Sequence, residues 1–185
     1  EQTLAWGAEQ SSWGRRWYTR ALRKTHGHIA TNPAILDLLM KVGVPAQRIA
    51  LVPPFIPAQP LPVASLPERV TTFLGAHHPV ISAMGRMAQW QGAFLYGEDF
   101  VLDLTARLRQ RFPKLGMVMR VYNVENPDLD RTARARSIAA DLAGHVLWLD
   151  EDLASFVPVL QASAAHVRPT NTDGDSLAVR EALAL

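Results

Sequence analysis

From Val80 to the end of the chain, short apolar runs alternate with amphipathic stretches at a spacing of roughly thirty residues. The runs 80–84, 116–122, 146–149 and 165–167 read as strands. Segments 99–112, 128–143 and 151–161 read as the intervening helices, and another helix begins at Leu177. A helix between successive strands carries the chain back to the end where it started, so the strands pair parallel and helices cover the sheet. The prediction is a doubly wound α/β sheet. In such sheets ligands lie beyond the carboxyl ends of the strands, which directs attention to loops 85–98, 123–127, 150–152 and 169–176.

Upstream of Val80 the pattern changes. Prolines at 53, 54, 57, 60, 62, 67 and 79 withhold ladder hydrogen bonds and are excluded from helix interiors, so 53–79 reads as a crossover between domains. Before it, His28-Ile29-Ala30-Thr31 reads as a strand and Asn32-Pro33 as an N-cap with a first-turn proline. Ile35, Leu36, Leu38, Leu39 and Val42 form the apolar face of a helix that Gly43 and Pro45 stop, and 49–52 is a second strand. The expected organisation is the C-terminal part of one Rossmann-like domain in 1–54, a Pro-rich linker in 55–78 and an incomplete second Rossmann-like domain in 79–185. A start at Glu1 and a helix still in progress at Leu185 predict a piece of a longer protein.

With 48% hydrophobic and 19% charged residues the chain is an ordinary globular sequence, which excludes a disordered or collagen-like one. It contains no cysteine, so disulfides and thiolate metal sites are excluded and a cytoplasmic location is expected. A net charge of +2 gives no whole-chain field for nucleic acid.

The richest candidate loop is Arg168-Pro169-Thr170-Asn171-Thr172-Asp173-Gly174-Asp175-Ser176, which leads directly into Leu177. If Ser176 caps the helix, the free amides of the first turn form a positive pole for a phosphate or diphosphate, and Gly174 allows close backbone approach. Glu181 lies one turn beyond Leu177 on the same face, placed to reach a ribose diol, while Asp173 faces the sugar. The pattern suits a nucleotide diphosphate-sugar. Asp173-Gly174-Asp175 also reads as a surface turn.

The segment from Val167 to Leu183 resembles the acidic donor-binding motif of retaining glycosyltransferases of family 4 (the glycosyltransferase family 1 group of domain classifications), which have the GT-B fold of two facing Rossmann-like domains. The family motif is Glu, seven residues, Glu; here Asp173 holds the first position and Glu181 the second. Residues 31–54 are similar to the end of the family's first domain, and Val80-Ile81-Ser82-Ala83-Met84-Gly85-Arg86 is similar to the first strand of its second. The resemblance implies transfer of a sugar, with retention, to a hydroxyl acceptor on a glycan or lipid, in polysaccharide, lipopolysaccharide or glycolipid assembly. It implies that Arg86, with Gly174, Asp175, Ser176, Leu177 and Glu181, holds the donor, that Asp173 is catalytic, and that no metal or other cofactor is needed. The family's second diphosphate-binding cation, a lysine before a glycine, is absent: Tyr96-Gly97 stands there.

Two other readings stay open, a non-catalytic nucleotide-sugar-binding module and a nucleotide-sugar epimerase of the same architecture. The histidine pairs 26/28 and 77/78 read as loop residues, and Asp150-Glu151-Asp152 as the charged start of a helix. Residues 11–24 form a basic amphipathic helix, with Arg15, Arg16, Arg20, Arg23 and Lys24 beside Trp13 and Trp17. It suits an anionic membrane surface on the cytoplasmic side, or else packs its aromatics into the first domain.

Overall fold

The computed structural model describes residues 12–54, 60–122, 124–170 and 176–185. Asp173, Gly174 and Asp175 lie outside the described residues. Those that are described form two compact units: residues up to 54 with Ser176 and Leu177, and residues 60–170 with 178–185.

In the first unit, α1 (Ser12–Lys24) is followed by β1 (His28–Ala30), α2 (Pro33–Lys41), a short 3-10 turn and β2 (Ile49–Leu51). β1 and β2 pair parallel with His28 opposite Ile49. Asn32 caps α2 as its residue type demands, its side chain accepting from the Ile35 amide at 2.9 Å, with Pro33 in the first turn. Gly43 ends the helix at φ +86, and any Cβ there would run into the Arg23 guanidinium, whose Nε donates to the Val42 carbonyl at 2.7 Å. Ala30, Leu39 and Val44 form the small core, with Leu22 of α1 packed against it.

The second unit is built on a four-stranded parallel sheet ordered β7-β6-β3-β8: β3 (Val80–Gly85), β6 (Gly116–Val121), β7 (Val146–Leu149) and β8 (Ala165–Val167). The helices are α3 (Glu68–Ala76), α4 (Glu98–Arg111), α5 (Pro127–Ala139), α6 (Val157–Ala162) and α7 (Leu177–Ala184), and a two-residue hairpin joins β4 (Gln89–Trp90) to β5 (Ala93–Phe94). Strands buried on both faces read as continuous apolar runs, and Met117, Val118 and Met119 are fully enclosed. One face packs against Val101, Leu102, Leu129 and Ala133, the other against Val70, Phe156, Val159 and Leu160, each large side chain contributing about 2 kcal/mol of burial. The chain steps from β3 through β6 to β7, then returns to the far side of β3 for β8. The order therefore reverses between β3 and β8, and in doubly wound sheets ligands bind beyond the carboxyl ends of the strands at such a reversal.

Three expectations change. The segment read as linker holds α3, because its prolines cluster at 60, 62 and 67 and leave 68–76 free of them; Pro67 precedes the first turn and Val70 is completely buried. The helix expected at 151–161 begins only at Val157, since Pro158 is tolerated in a first turn and not in an interior. Asp150-Glu151-Asp152 therefore starts no helix: Asp150 pairs with Arg134 and Glu151 with Arg69. Finally, α5 stops at Ala139 rather than at 143, where Asp141 takes a left-handed φ of 56.

Candidate functional site

The chemistry gathers where β3, β6 and β8 end, within the second unit. Arg86 follows the last residue of β3. Its turn is fixed by backbone bonds that extend the β3–β6 ladder: the Tyr122 amide donates to the Gly85 carbonyl, that of Glu125 to Arg86 and that of Asn126 to Met87, at 3.0 to 3.2 Å. Beneath the turn lies Glu98, the first residue of α4 and 1% exposed. Its Oε1 accepts from the Met87 amide at 3.3 Å, and its carboxyl fills the space a Cβ on Gly85 would need. Burial pushes the Glu98 carboxyl above its ordinary pKa, against backbone hydrogen bonds that favour the charged form.

Arg86 has one carboxylate neighbour, Glu125, at 2.5 Å, and Glu125 is 47% exposed. The guanidinium carbon lies 5.9 Å from the Tyr122 ring centre. Among the described residues the buried Arg86 Nε has no hydrogen-bond partner. A buried N–H of a permanent cation without an acceptor is a donor whose hydrogen-bonding capacity is unused.

Tyr122 meets the Tyr96 ring edge-on at 6.5 Å, and the guanidinium of Arg168, just past β8, lies 4.8 Å over the Tyr96 ring. Burial, then a hydrogen bond to the Tyr96 side chain, pushes the Tyr122 phenol up in pKa, while Arg168 and Arg86 oppose the rise. The two loops are fastened together: Thr170 Oγ1 donates to the Leu95 carbonyl at 2.9 Å, and Gly97, at φ +65, packs so closely on Pro169 that a Cβ would strike its carbonyl. Next to Arg168, His166 is half-buried and shares a 3.1 Å hydrogen bond with Ser82. Burial and then the Arg168 charge lower its pKa to about 4.

Of the residues singled out in the sequence, Arg86 stands at the sheet's carboxyl edge, paired with Glu125. Ser176 immediately precedes α7, whose first residue is Leu177, and both group with the first unit; Glu181, half-buried, groups with the second. Sequence reasoning missed Arg168, Tyr122, Glu98 and Glu125. A basic residue one step past a strand on the ligand side of a doubly wound sheet was the available signal for Arg168. Tyr122 and Glu98 gave none, because their roles arise from packing. Among the described residues no group of three or more His, Asp or Glu side chains is placed to hold a metal ion.

No family model matches the chain, and no curated protein matches it in sequence. Solved structures do match its fold. HepE of Anabaena, in complex with UDP and glucose, aligns at 15% identity and a TM-score of 0.73 over 96% of this chain and 47% of its own. The α,α-trehalose 6-phosphate synthase of Burkholderia multivorans aligns at 10% identity and 0.70 over 95% and 47%. TarM of S. aureus, in complex with Fondaparinux, α-GlcNAc-glycerol and UDP, aligns at 13% identity and 0.67 over 94% and 31%. The chain thus spans about half or less of the structures it matches, and its α/β fold is that of part of a GT-B glycosyltransferase.

Proposed function

We propose that the chain is the donor-binding part of a glycosyltransferase that moves a sugar from a nucleotide diphosphate-sugar to a hydroxyl acceptor on a glycan or lipid. The observation that carries this reading is Arg86, held at the β3–β8 switch point with a buried Nε that lacks a partner among the described residues, in a fold shared with structures solved with UDP. In this reading Arg86 and the amide pole at the start of α7 stabilise the departing diphosphate, Glu181 holds the ribose, Asp173 orients the sugar as the catalytic carboxylate, and Gly174, Asp175, Ser176 and Leu177 take part in binding the donor. The reaction proceeds with retention, as in family 4, and without a metal. It serves polysaccharide, lipopolysaccharide or glycolipid assembly in the cytoplasm.

The first test is binding. A nucleoside diphosphate that binds the native state raises the melting temperature, and among UDP, GDP and ADP one is expected to do so. Glu181→Ala is expected to weaken that nucleotide about tenfold; unchanged affinity removes Glu181 from the site. Turnover is read as nucleoside diphosphate release by the full-length protein from UDP-, GDP- and ADP-sugars, with EDTA expected to leave the rate unchanged. Binding without turnover favours a non-catalytic module, and an isomerised sugar favours an epimerase.

The acceptor side includes a membrane surface in this proposal. α1 exposes Trp13 by 70% and Trp17 by 61%, their rings 6.1 Å apart, beside a hollow lined by Arg15, Arg16, Arg20, Arg23 and Lys24. Co-sedimentation with phosphatidylserine vesicles is expected to fall with salt and to disappear with charge reversal at Arg15 and Arg16. Binding indifferent to both removes the membrane surface from the proposal, and the exposure of both rings already departs from the reading that packs them into the first domain.

A further inference from the structure

The resemblance asks for two cations on the donor diphosphate, and the position of the second is occupied by a tyrosine. We infer that Arg168, carried on the face of Tyr96, is that second cation, so that the diphosphate is gripped by two guanidiniums from the ends of β3 and β8 rather than by a guanidinium and an ammonium. The inference rests on the nucleotide-sugar reading and adds to it a residue with no assigned role.

Four observations carry it. Arg86, Tyr122, Tyr96 and Arg168 form one continuous row, each guanidinium beside a ring and the two rings in edge-to-face contact. A tyrosine at position 96 brings no charge, but its ring face attracts and orients a cation, so it can present the charge of another residue. The arrangement is held from both sides, because Thr170 is bonded to Leu95 and Gly97 is packed on Pro169. Arg168 therefore sits where the two loops are tied, and its side chain has little freedom to lose on binding. Lastly, after burial itself the Arg168 charge lowers the pKa of half-buried His166, which places the guanidinium charge near the carboxyl end of β8.

The chemistry follows from charge. A nucleoside diphosphate is more negative than its monophosphate, and Arg86 alone already faces Glu125. A second planar fork adds paired N–H donors for the β-phosphate, the geometry in which arginine exceeds lysine. Leaving-group stabilisation in glycosyl transfer falls on that phosphate, so Arg168 contributes to turnover as well as to binding.

The experiment is calorimetric titration of the chain with UDP, GDP and ADP and with the matching monophosphates, for the wild type, Arg86→Gln, Arg168→Gln and the double variant Tyr96→Lys with Arg168→Gln. Arg168→Gln is expected to weaken the diphosphate ten- to hundred-fold and the monophosphate less than about threefold. The double variant, which places an ammonium at position 96, is expected to recover most of the loss. This recovery separates a charge role from a structural one. If no diphosphate binds the wild type, the nucleotide-sugar reading fails and the role of Arg168 falls with it. If Arg86→Gln weakens binding while Arg168→Gln leaves it at the wild-type value, the nucleotide-sugar reading stands and this inference is overturned. Equal losses for diphosphate and monophosphate, or a double variant no better than Arg168→Gln, overturn it as well.

Discussion

Two arginines on the same sheet illustrate two uses of a guanidinium. At the β7 edge Arg134 lies between Asp130 and Asp150, at 2.9 and 2.7 Å, with its carbon 4.8 Å over the Trp148 ring. Its charge is balanced in place, and it ties α5 to the end of β7. At the β3–β8 switch point Arg86 has a ring at its side as well, but among the described residues only one carboxylate, and there its buried Nε has no acceptor. The first arrangement is complete without a ligand. The second leaves capacity unused, and a fold holds a buried donor in that state at a cost of about 1–3 kcal/mol.

The largest expected effect separates the two arginines directly. Arg86→Gln should lower affinity for the bound nucleoside diphosphate by about a hundredfold or more and leave the melting temperature nearly unchanged, because its carboxylate partner Glu125 is half exposed. Arg134→Gln should do the reverse, leaving nucleotide affinity intact and costing about 1 kcal/mol of stability, seen as a lowered denaturation midpoint. Comparable effects of the two variants on affinity would break the distinction.

The next effect sharpens it through His166. Its folded pKa of about 4 lies below the ordinary value, so the neutral ring is the native form, and unfolding allows it to take up a proton. The contribution is fully present above about pH 6.5 and is lost as pH falls toward the folded value, amounting to about 3 kcal/mol by pH 4. Urea midpoints measured from pH 7 to pH 4 should fall with that slope, and His166→Asn should flatten it. Since Arg168 is a named cause of the lowered pKa, Arg168→Gln should raise the His166 titration midpoint seen by NMR. An unmoved midpoint would place the Arg168 charge elsewhere. Glu98 titrates in the opposite sense. Its raised pKa means that the protonated form is favoured by folding, so this stability is present at low pH and is lost as pH rises through the folded value.

The parallel sheet was legible because its strands are buried on both faces and read as unbroken apolar runs, as in Val80-Ile81-Ser82-Ala83 and Gly116-Met117-Val118-Met119. The start of α7 at Leu177 was legible for a local reason, a run of turn formers giving way to helix formers. α3 was hidden because proline density was averaged over a window wider than the nine-residue helix between prolines. Contacts between residues far apart in sequence were not legible at the candidate site. Arg168 and Tyr96 are separated by more than half the described second unit and meet through the β3–β8 pairing, which strand periodicity does not specify. Glu98 is the most deeply buried acid, yet it sits in the acidic first turn of α4, where Glu98-Asp99 looks like ordinary helix charging.

The smallest effect concerns Glu125, which distinguishes the two arginines most finely. If Arg86 is a ligand arginine, its carboxylate is a placeholder that must yield the guanidinium when a diphosphate arrives. The cost of that displacement is then subtracted from the binding free energy. Removing the charge while keeping the shape, in Glu125→Gln, should tighten nucleoside diphosphate binding about two- to fivefold and leave stability within about 0.5 kcal/mol, since a half-exposed pair contributes little to folding. Asp150→Asn at the other edge should loosen the fold and leave nucleotide affinity unchanged, because its partner Arg134 has no second role. Weaker nucleotide binding in Glu125→Gln would mean that the carboxylate holds Arg86 in its productive position. Arg86 would then resemble Arg134 more closely than the ring and the orphaned Nε imply.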